Sequence, residues 1–206
     1  MGAPGVARPK TPLLSATRIA DGAIELVDRT GDIQMVQLAR HLGVAPSSLY
    51  SHVTGRAKVI DLARLRMLER MEPLGPAHDW REAVANLLRQ LTTLYARHRR
   101  ILPLLSTTAV ACNRSIAVYE PMFAALIEGG FRLDQLRLVV AMVEFQAFGL
   151  AQGLPAPAMS DHIRKTLPAY TASVDHSSYD LATATEFSVA MVIGGLEAIR
   201  THPGGP

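Results

Sequence analysis

The stretch LGVAPSSLYSHV, residues 42 to 53, constrains the fold more than any other part of the chain. Leu42, Val44, Leu49 and Val53 suit a core, but Gly43 and Pro46 prevent one continuous helix from burying them together. Proline fits the first turn of a helix, where its missing N–H costs nothing. The spacing therefore predicts two short helices joined by a tight glycine turn, the second running from Pro46 to about His52. Ala39, Leu42, Val44 and Leu49 hold the pair together in this reading. Pro46, Ser47, Ser48, Tyr50, Ser51 and His52 are left to face outward.

Helical periodicity continues on both sides. Ile19, Ala23, Ile24, Leu26 and Val27 predict a helix from Ser15 to about Arg29, with Gly31 as its C-cap and Asp32 capping a second helix, Ile33 to Leu42. After TGR (54–56), a fourth helix runs from Arg56 or Ala57 to about Met71. Asp79 with Glu82 resembles a capping box before Trp80–His98. RRILPLL suggests a short helix disturbed at Pro103. Further helices are predicted over Cys112–Glu128, Asp134–Gln152 and Ser178–Thr201, with 155–176 a long loop containing one turn at 161–166. No alternating strand pattern and no repeat is present, so the predicted class is all-α.

Residues 1–12, with three prolines and two glycines, read as a disordered arm. Residues 13–58 read as a three-helix helix-turn-helix domain and 59–206 as a larger helical domain for ligand binding and dimerisation. Charge divides the same way. Residues 1–70 hold ten Lys/Arg against six Asp/Glu, whereas 71–206 hold eleven against twelve. A basic head on a near-neutral body suits polyanion binding, although a solvated basic surface is the plainer alternative for so small a surplus.

A single cysteine, Cys112, excludes an internal disulfide framework and a cysteine-cluster metal site, and is expected to be inert. The seven histidines lack the i, i+4 spacing of helical metal sites, so no metal and no cofactor are expected. No apolar signal segment opens the chain. Glu144, Gln146 and Gln152 interrupt the longest apolar run, residues 138–154, which argues for a buried helix over a membrane span. The expected location is cytoplasmic, with no membrane partner.

A helix-turn-helix places its second helix in the DNA major groove. The hydroxyls of Ser47, Ser48 and Ser51 suit close approach to phosphates and base edges, and Tyr50 can reach a phosphate or a thymine methyl. Tyr50 and His52 have a structural alternative, packing against the fourth helix. Arg56 and Lys58 are candidates for phosphate contact or simply solvated charges.

The segment GAIELVDRTGDIQMVQLARHLGVAPSSLYSHVTGRAKVIDLA resembles the N-terminal domain of the TetR family of bacterial transcriptional regulators, in order and spacing over roughly forty residues. DWREAVANLLRQL, LIEGGFRLDQL and FQAFGLAQG are similar to the regulatory domain of the tetracycline-repressor branch. The resemblance implies a homodimer that binds a palindromic DNA operator and releases it when a small molecule enters the larger domain, acting as a repressor rather than an enzyme. Tetracycline repressors often carry threonine and arginine early in the second helix. Met35 and Val36 stand there in this chain, which leaves phosphate anchoring to Gln34. The positions corresponding to the drug and magnesium ligands are Leu87, Leu91, Leu105, Met122, Phe145 and Gly153, which offer no oxygen or imidazole. The implied effector is therefore apolar or weakly polar, with Gln146, Glu144 or Gln152 as polar handles.

Each apolar candidate has plain core packing as its alternative. Glu144 has three readings: an ion pair with Arg137, one across a dimer interface, or a ligand contact. Gly194-Gly195 suggests close helix approach at a dimer interface. The rival from another class is a small all-α enzyme or carrier, but no GxSxG, HExxH, P-loop or paired-carboxylate pattern supports it. A regulator answering to a protein partner is a third reading.

Overall fold

The computed structural model describes residues 14–73, 79–153, 159–176 and 180–201, and among these every regular element is helical. The expected arm and the Ser178 start of the last helix lie outside the described residues. Helix α1 (Ala16–Thr30) is capped by Ser15, whose side chain accepts from the Arg18 N–H at 3.2 Å, and it ends at Gly31 in the left-handed region. Then come α2 (Met35–His41), α3 (Pro46–Tyr50) and α4 (Arg56–Leu68).

These four helices share one apolar centre. Ile19, Ala23 and Val27 on α1 are buried with Leu38 and Ala39 on α2, Leu49 on α3, and Val59, Ile60 and Ala63 on α4. Two glycines permit this packing. Gly43 turns between α2 and α3 with φ 67°, a conformation that side chains disfavour. Gly22 brings α1 against α2 so closely that a Cβ there would lie 2.6 Å from Leu42 Cδ2.

The second body starts at α5 (Trp80–Arg97), whose N-cap Asp79 accepts from the N–H groups of Arg81 and Glu82. A 3₁₀ turn, Arg99–Ile101, leads into α6 (Leu102–Thr107), with Pro103 in the first helical turn, where it is tolerated. The single helix expected over Cys112–Glu128 is instead two, α7 (Asn113–Ala117) and α8 (Glu120–Glu128). Pro121 is the reason: it opens α8 and has no N–H to continue the ladder from α7. Helix α9 (Leu133–Gln152) packs lengthwise on α5.

The expected loop 155–176 contains more helix than the spacing suggested. Besides α10 (Asp161–Thr166), a second helix, α11 (Pro168–His176), begins at a proline suited to a first turn. Helix α12 (Leu181–Thr201) packs on α5 and α9. Its Leu181–Arg200 segment is long and apolar enough to cross a membrane by length and composition. In this fold, however, its glutamates pair with α5, Glu186 with Arg89 and Glu197 with Arg81, both at 2.6 Å.

Candidate DNA-reading face and effector region

Leu49 and Val53 anchor the short α3 in the core, and everything between its anchors points away. Pro46, Ser47, Ser48, Tyr50, Ser51 and His52 are all exposed, Tyr50 by 53%. Such exposure leaves the Tyr50 hydroxyl-bearing ring half open to solvent. No side chain caps the front of α3, where Pro46 has no N–H and the Ser48 and Leu49 N–H groups donate to the Ala45 carbonyl at 3.0 and 3.2 Å. Gln34 is the exposed N-cap of α2, its Oε1 accepting from Gln37 Nε2 at 3.0 Å.

Arg56 behaves differently from a solvated charge. Its Nε donates to the Ile33 carbonyl at 3.0 Å and its Nη2 to Asp32 Oδ1 at 2.6 Å. The guanidinium thus fastens the start of α4 to the loop before α2, which corrects the simple picture of a free phosphate hook. Beside it the Lys58 ammonium lies 3.5 Å from Asp61 Oδ2.

Polar side chains bind this head to the rest of the molecule, and spacing gave no sign of them. Asp21 on α1 accepts from Arg66 Nε at 2.9 Å and Arg70 Nη2 at 2.5 Å, clamping α4 along α1. His98 Nδ1, beyond α5, lies 2.8 Å from Asp28 Oδ2 on α1, and Arg100 Nη1 donates to the Arg29 carbonyl at 2.6 Å. The deepest link is Arg64 on α4. Its Nη2 donates to the Leu105 and Thr108 carbonyls, both at 2.7 Å, at the end of α6. Buried Asp61, one turn earlier, accepts from the Ala111 N–H at 3.3 Å. A helix of the head is therefore bonded directly to the 105–111 segment of the body.

The apolar effector candidates separate into two groups. Leu87, Leu91, Leu105 and Met122 meet in the core and are fully or almost fully buried. Phe145 does not join them. It is 73% exposed, because its position on α9 faces away from α5, and as a wall residue within one chain it is a correction. Gln146 is half-buried and accepts from Ser188 Oγ of α12 at 3.2 Å. Two surface concavities are evident, of about 420 Å³ between α1 and α2 and about 280 Å³ along Arg70, Arg89 and Arg97, and none of the six candidates lines either.

Of the readings for Glu144, the ion pair with the exposed Arg137 is absent among the described residues. Its carboxylate instead accepts from the Tyr95 hydroxyl at 2.8 Å and from the Tyr119 hydroxyl in a closer contact. Burial raises the carboxyl above the usual range, while the two hydroxyl donors and nearby Arg64 pull it back. Both phenols are raised as well, by desolvation first and by the facing carboxylate second. The break between α7 and α8 is what delivers Tyr119 to this spot, and the sequence reading had erased that break.

The described residues bring no three His, Cys, Asp or Glu side chains together in a metal-binding group. Residues 72–200 match the family model described as the tetracyclin repressor-like C-terminal domain. The chain belongs to the TetR family. Among its TetR-family and other regulatory relatives, an HTH-type transcriptional regulator of Saccharopolyspora erythraea is 32% identical over 155 residues, covering 70% of this chain. The HTH-type transcriptional repressor DrrR1 of Streptomyces coeruleorubidus is 24% identical over 145 residues, covering 68%. The matched segments span 66% and 54% of those two relatives' own lengths. The TetR family protein ActR of Streptomyces coelicolor, in complex with actinorhodin, shares the fold with a TM-score of 0.71 at 21% identity, over 91% of this chain and 97% of that one.

Proposed function

We propose that this TetR-family protein is a homodimeric transcriptional regulator that binds a palindromic operator as a repressor and releases it when a small, largely apolar molecule enters residues 59–206. The observation that carries the reading is α3: an apolar anchor at Leu49 under an exposed face of three serines, Tyr50 and His52. Burying so little while displaying so many short donors suits a helix held out into a groove. Gln34, Arg56 and Lys58 flank that face, with Arg56 setting the α2 entry and lending its remaining charge to the phosphates. Relatives named as a regulator and as a repressor support the function, and ActR's complex supports a small-molecule trigger.

Dimerisation has its own support. Leu133, Leu138, Met142 and Phe145 on α9 and Phe187, Met191 and Ile199 on α12 are all about half exposed or more. Gly149, Gly194 and Gly195 lie on the same two helices with open space around them. Two such helices from each of two protomers make a four-helix apolar interface. Phe145 then belongs to the dimer face rather than the effector wall.

Selection from a randomised duplex library at fixed, stated salt tests the proposal. A palindromic consensus with half-sites about one helical turn apart or somewhat more, ~34–40 Å, is expected. Salt-sensitive retention with no consensus would reduce the head to a phosphate binder.

A further inference from the structure

Among the described residues two interior carboxyls, Asp61 and Glu144, stand near one buried guanidinium, Arg64. Buried Asp61 and Arg64 face each other with 3.9 Å between Oδ1 and Nη1, and Lys58 reaches the same aspartate from the surface. Arg64 Nη2 is committed to the Leu105 and Thr108 carbonyls. Among the described residues Glu144 therefore shares one guanidinium with Asp61 and has no further cation beside it. The Tyr95 and Tyr119 rings meet it by their hydroxyl edges, and the Tyr95 ring is stacked on Phe148 with ring centroids 4.6 Å apart. Thr92, one turn before Tyr95 on α5, is buried with an Oγ1 that makes no hydrogen bond.

A carboxylate offers about four acceptor positions, of which the tyrosines fill two. A carboxylate among aromatic rings is the chemistry that recognises organic cations, through charge-assisted hydrogen bonding and cation–π attraction. We propose that Glu144, with Tyr95, Tyr119 and Phe148, is a receptor for the protonated amine of an otherwise apolar, aromatic effector. The proposal rests on the effector reading above and narrows its ligand class. The Tyr119 hydroxyl is the group that yields, because it sits at the turn between α7 and α8 and not inside a regular helix. The same segment adjoins Ala111, which Asp61 holds to α4, so occupancy at Glu144 is transmitted toward the reading head.

The charged groups facing Glu144 come from several elements. Tyr95 comes from α5, Tyr119 from the α7–α8 turn, and Arg64 from α4 with Asp61 and Lys58 behind it. On α12, Glu186 and Glu197 are engaged by Arg89 and Arg81, and on α8, Glu120 and Glu128 are exposed. Burial lifts the Glu144 carboxyl, so the site gains charge, and cation affinity, as pH rises through that elevated value.

The test uses two three-ring fluorescent probes of one shape on the full-length protein: 9-aminoacridine, a cation near neutral pH, and 2-aminoanthracene, which is neutral. Wild type is expected to bind the cation at least about tenfold more tightly, with a preference that fades as pH falls through the raised range of the Glu144 carboxyl. Glu144→Gln is expected to abolish the preference for the cation over the neutral probe. The pH series needs no variant, so it decides the matter even if Glu144→Gln fails to fold. Equal binding of both probes by wild type, or a preference indifferent to pH, overturns the amine class while the effector reading stands. Binding of neither probe overturns an effector site at Glu144 as well.

Discussion

Arg56 Nη2 and Asp32 Oδ1 lie 2.6 Å apart across the gap between α4 and the loop that opens α2. The guanidinium holds the Asp32 carboxyl below its usual range, chiefly through this hydrogen bond, with the Ile33 backbone adding to it. A carboxylate lowered in the folded state contributes stability above its unfolded pKa of about 3.9 and loses it as pH falls through the folded value. Arg56→Ala is therefore expected to be less stable than wild type at neutral pH, with the gap closing below about pH 4. Urea titrations across that range measure it. A gap that stays constant would mean that the bond to the Ile33 carbonyl matters and the ion pair does not.

The reading face separates recognition from assembly. Tyr50 and Ser48 are exposed, and neither supports the core, so Tyr50→Ala and Ser48→Ala should leave thermal midpoint and dimerisation unchanged. Each is expected to weaken operator binding about 5- to 150-fold, the range for a lost base or phosphate contact of about 1–3 kcal/mol. Fluorescence anisotropy with the selected operator reads the change. Normal binding by both variants would move the reading face elsewhere.

Much of this was legible in the sequence, for a physical reason. Leu38, Leu42 and Leu49 reveal their helices because burial at period 3.6 leaves a mark in a single chain, and Gly43 reveals its turn because only one conformation fits there. Polar pairs leave no periodic mark. The grip of Arg64 on the Leu105 and Thr108 carbonyls joins residues more than forty positions apart, and Tyr95 and Tyr119 reach Glu144 only once α7 and α8 separate at Pro121. Phe145 misled because a surface that another protomer covers is as apolar as a core, and hydropathy does not tell them apart. Helix α11 was missed because none of its side chains is buried, so it carries no apolar stripe.

Arg64 makes a sharper demand on stability than the exposed ion pairs. It is 8% exposed, and its loss would leave buried Asp61 with Lys58 as its remaining cation and free the Leu105 and Thr108 carbonyls together. Arg64→Met is expected to cost about 3–5 kcal/mol in unfolding free energy, the range for removing one partner of a buried pair. Arg64→Met combined with Asp61→Leu should recover part of that loss, since no buried charge is then stranded. Chemical denaturation of the single and double variants gives both numbers. A double variant no better than the single one would show that the carbonyl bonds, not the aspartate, set the cost.

The exposed apolar face of α9 and α12 predicts how the protein assembles. Leu138 is 70% exposed and Phe145 73%, and they lie seven residues apart on one face of α9. Phe187 on α12 is 71% exposed, so the face continues across both helices. Monomeric proteins rarely display so many large apolar groups on one surface. Placing a carboxylate at the centre of such an interface leaves it buried without a partner, and that penalty falls on association rather than on folding. Phe145→Asp and Leu138→Asp are each expected to shift the protein from dimer to monomer in sedimentation at micromolar concentration, with helical circular dichroism retained. Operator affinity should fall with them, because a lone head contacts only one half-site. Dimers that persist in both variants would place the interface on a different surface and return Phe145 to the list of effector contacts.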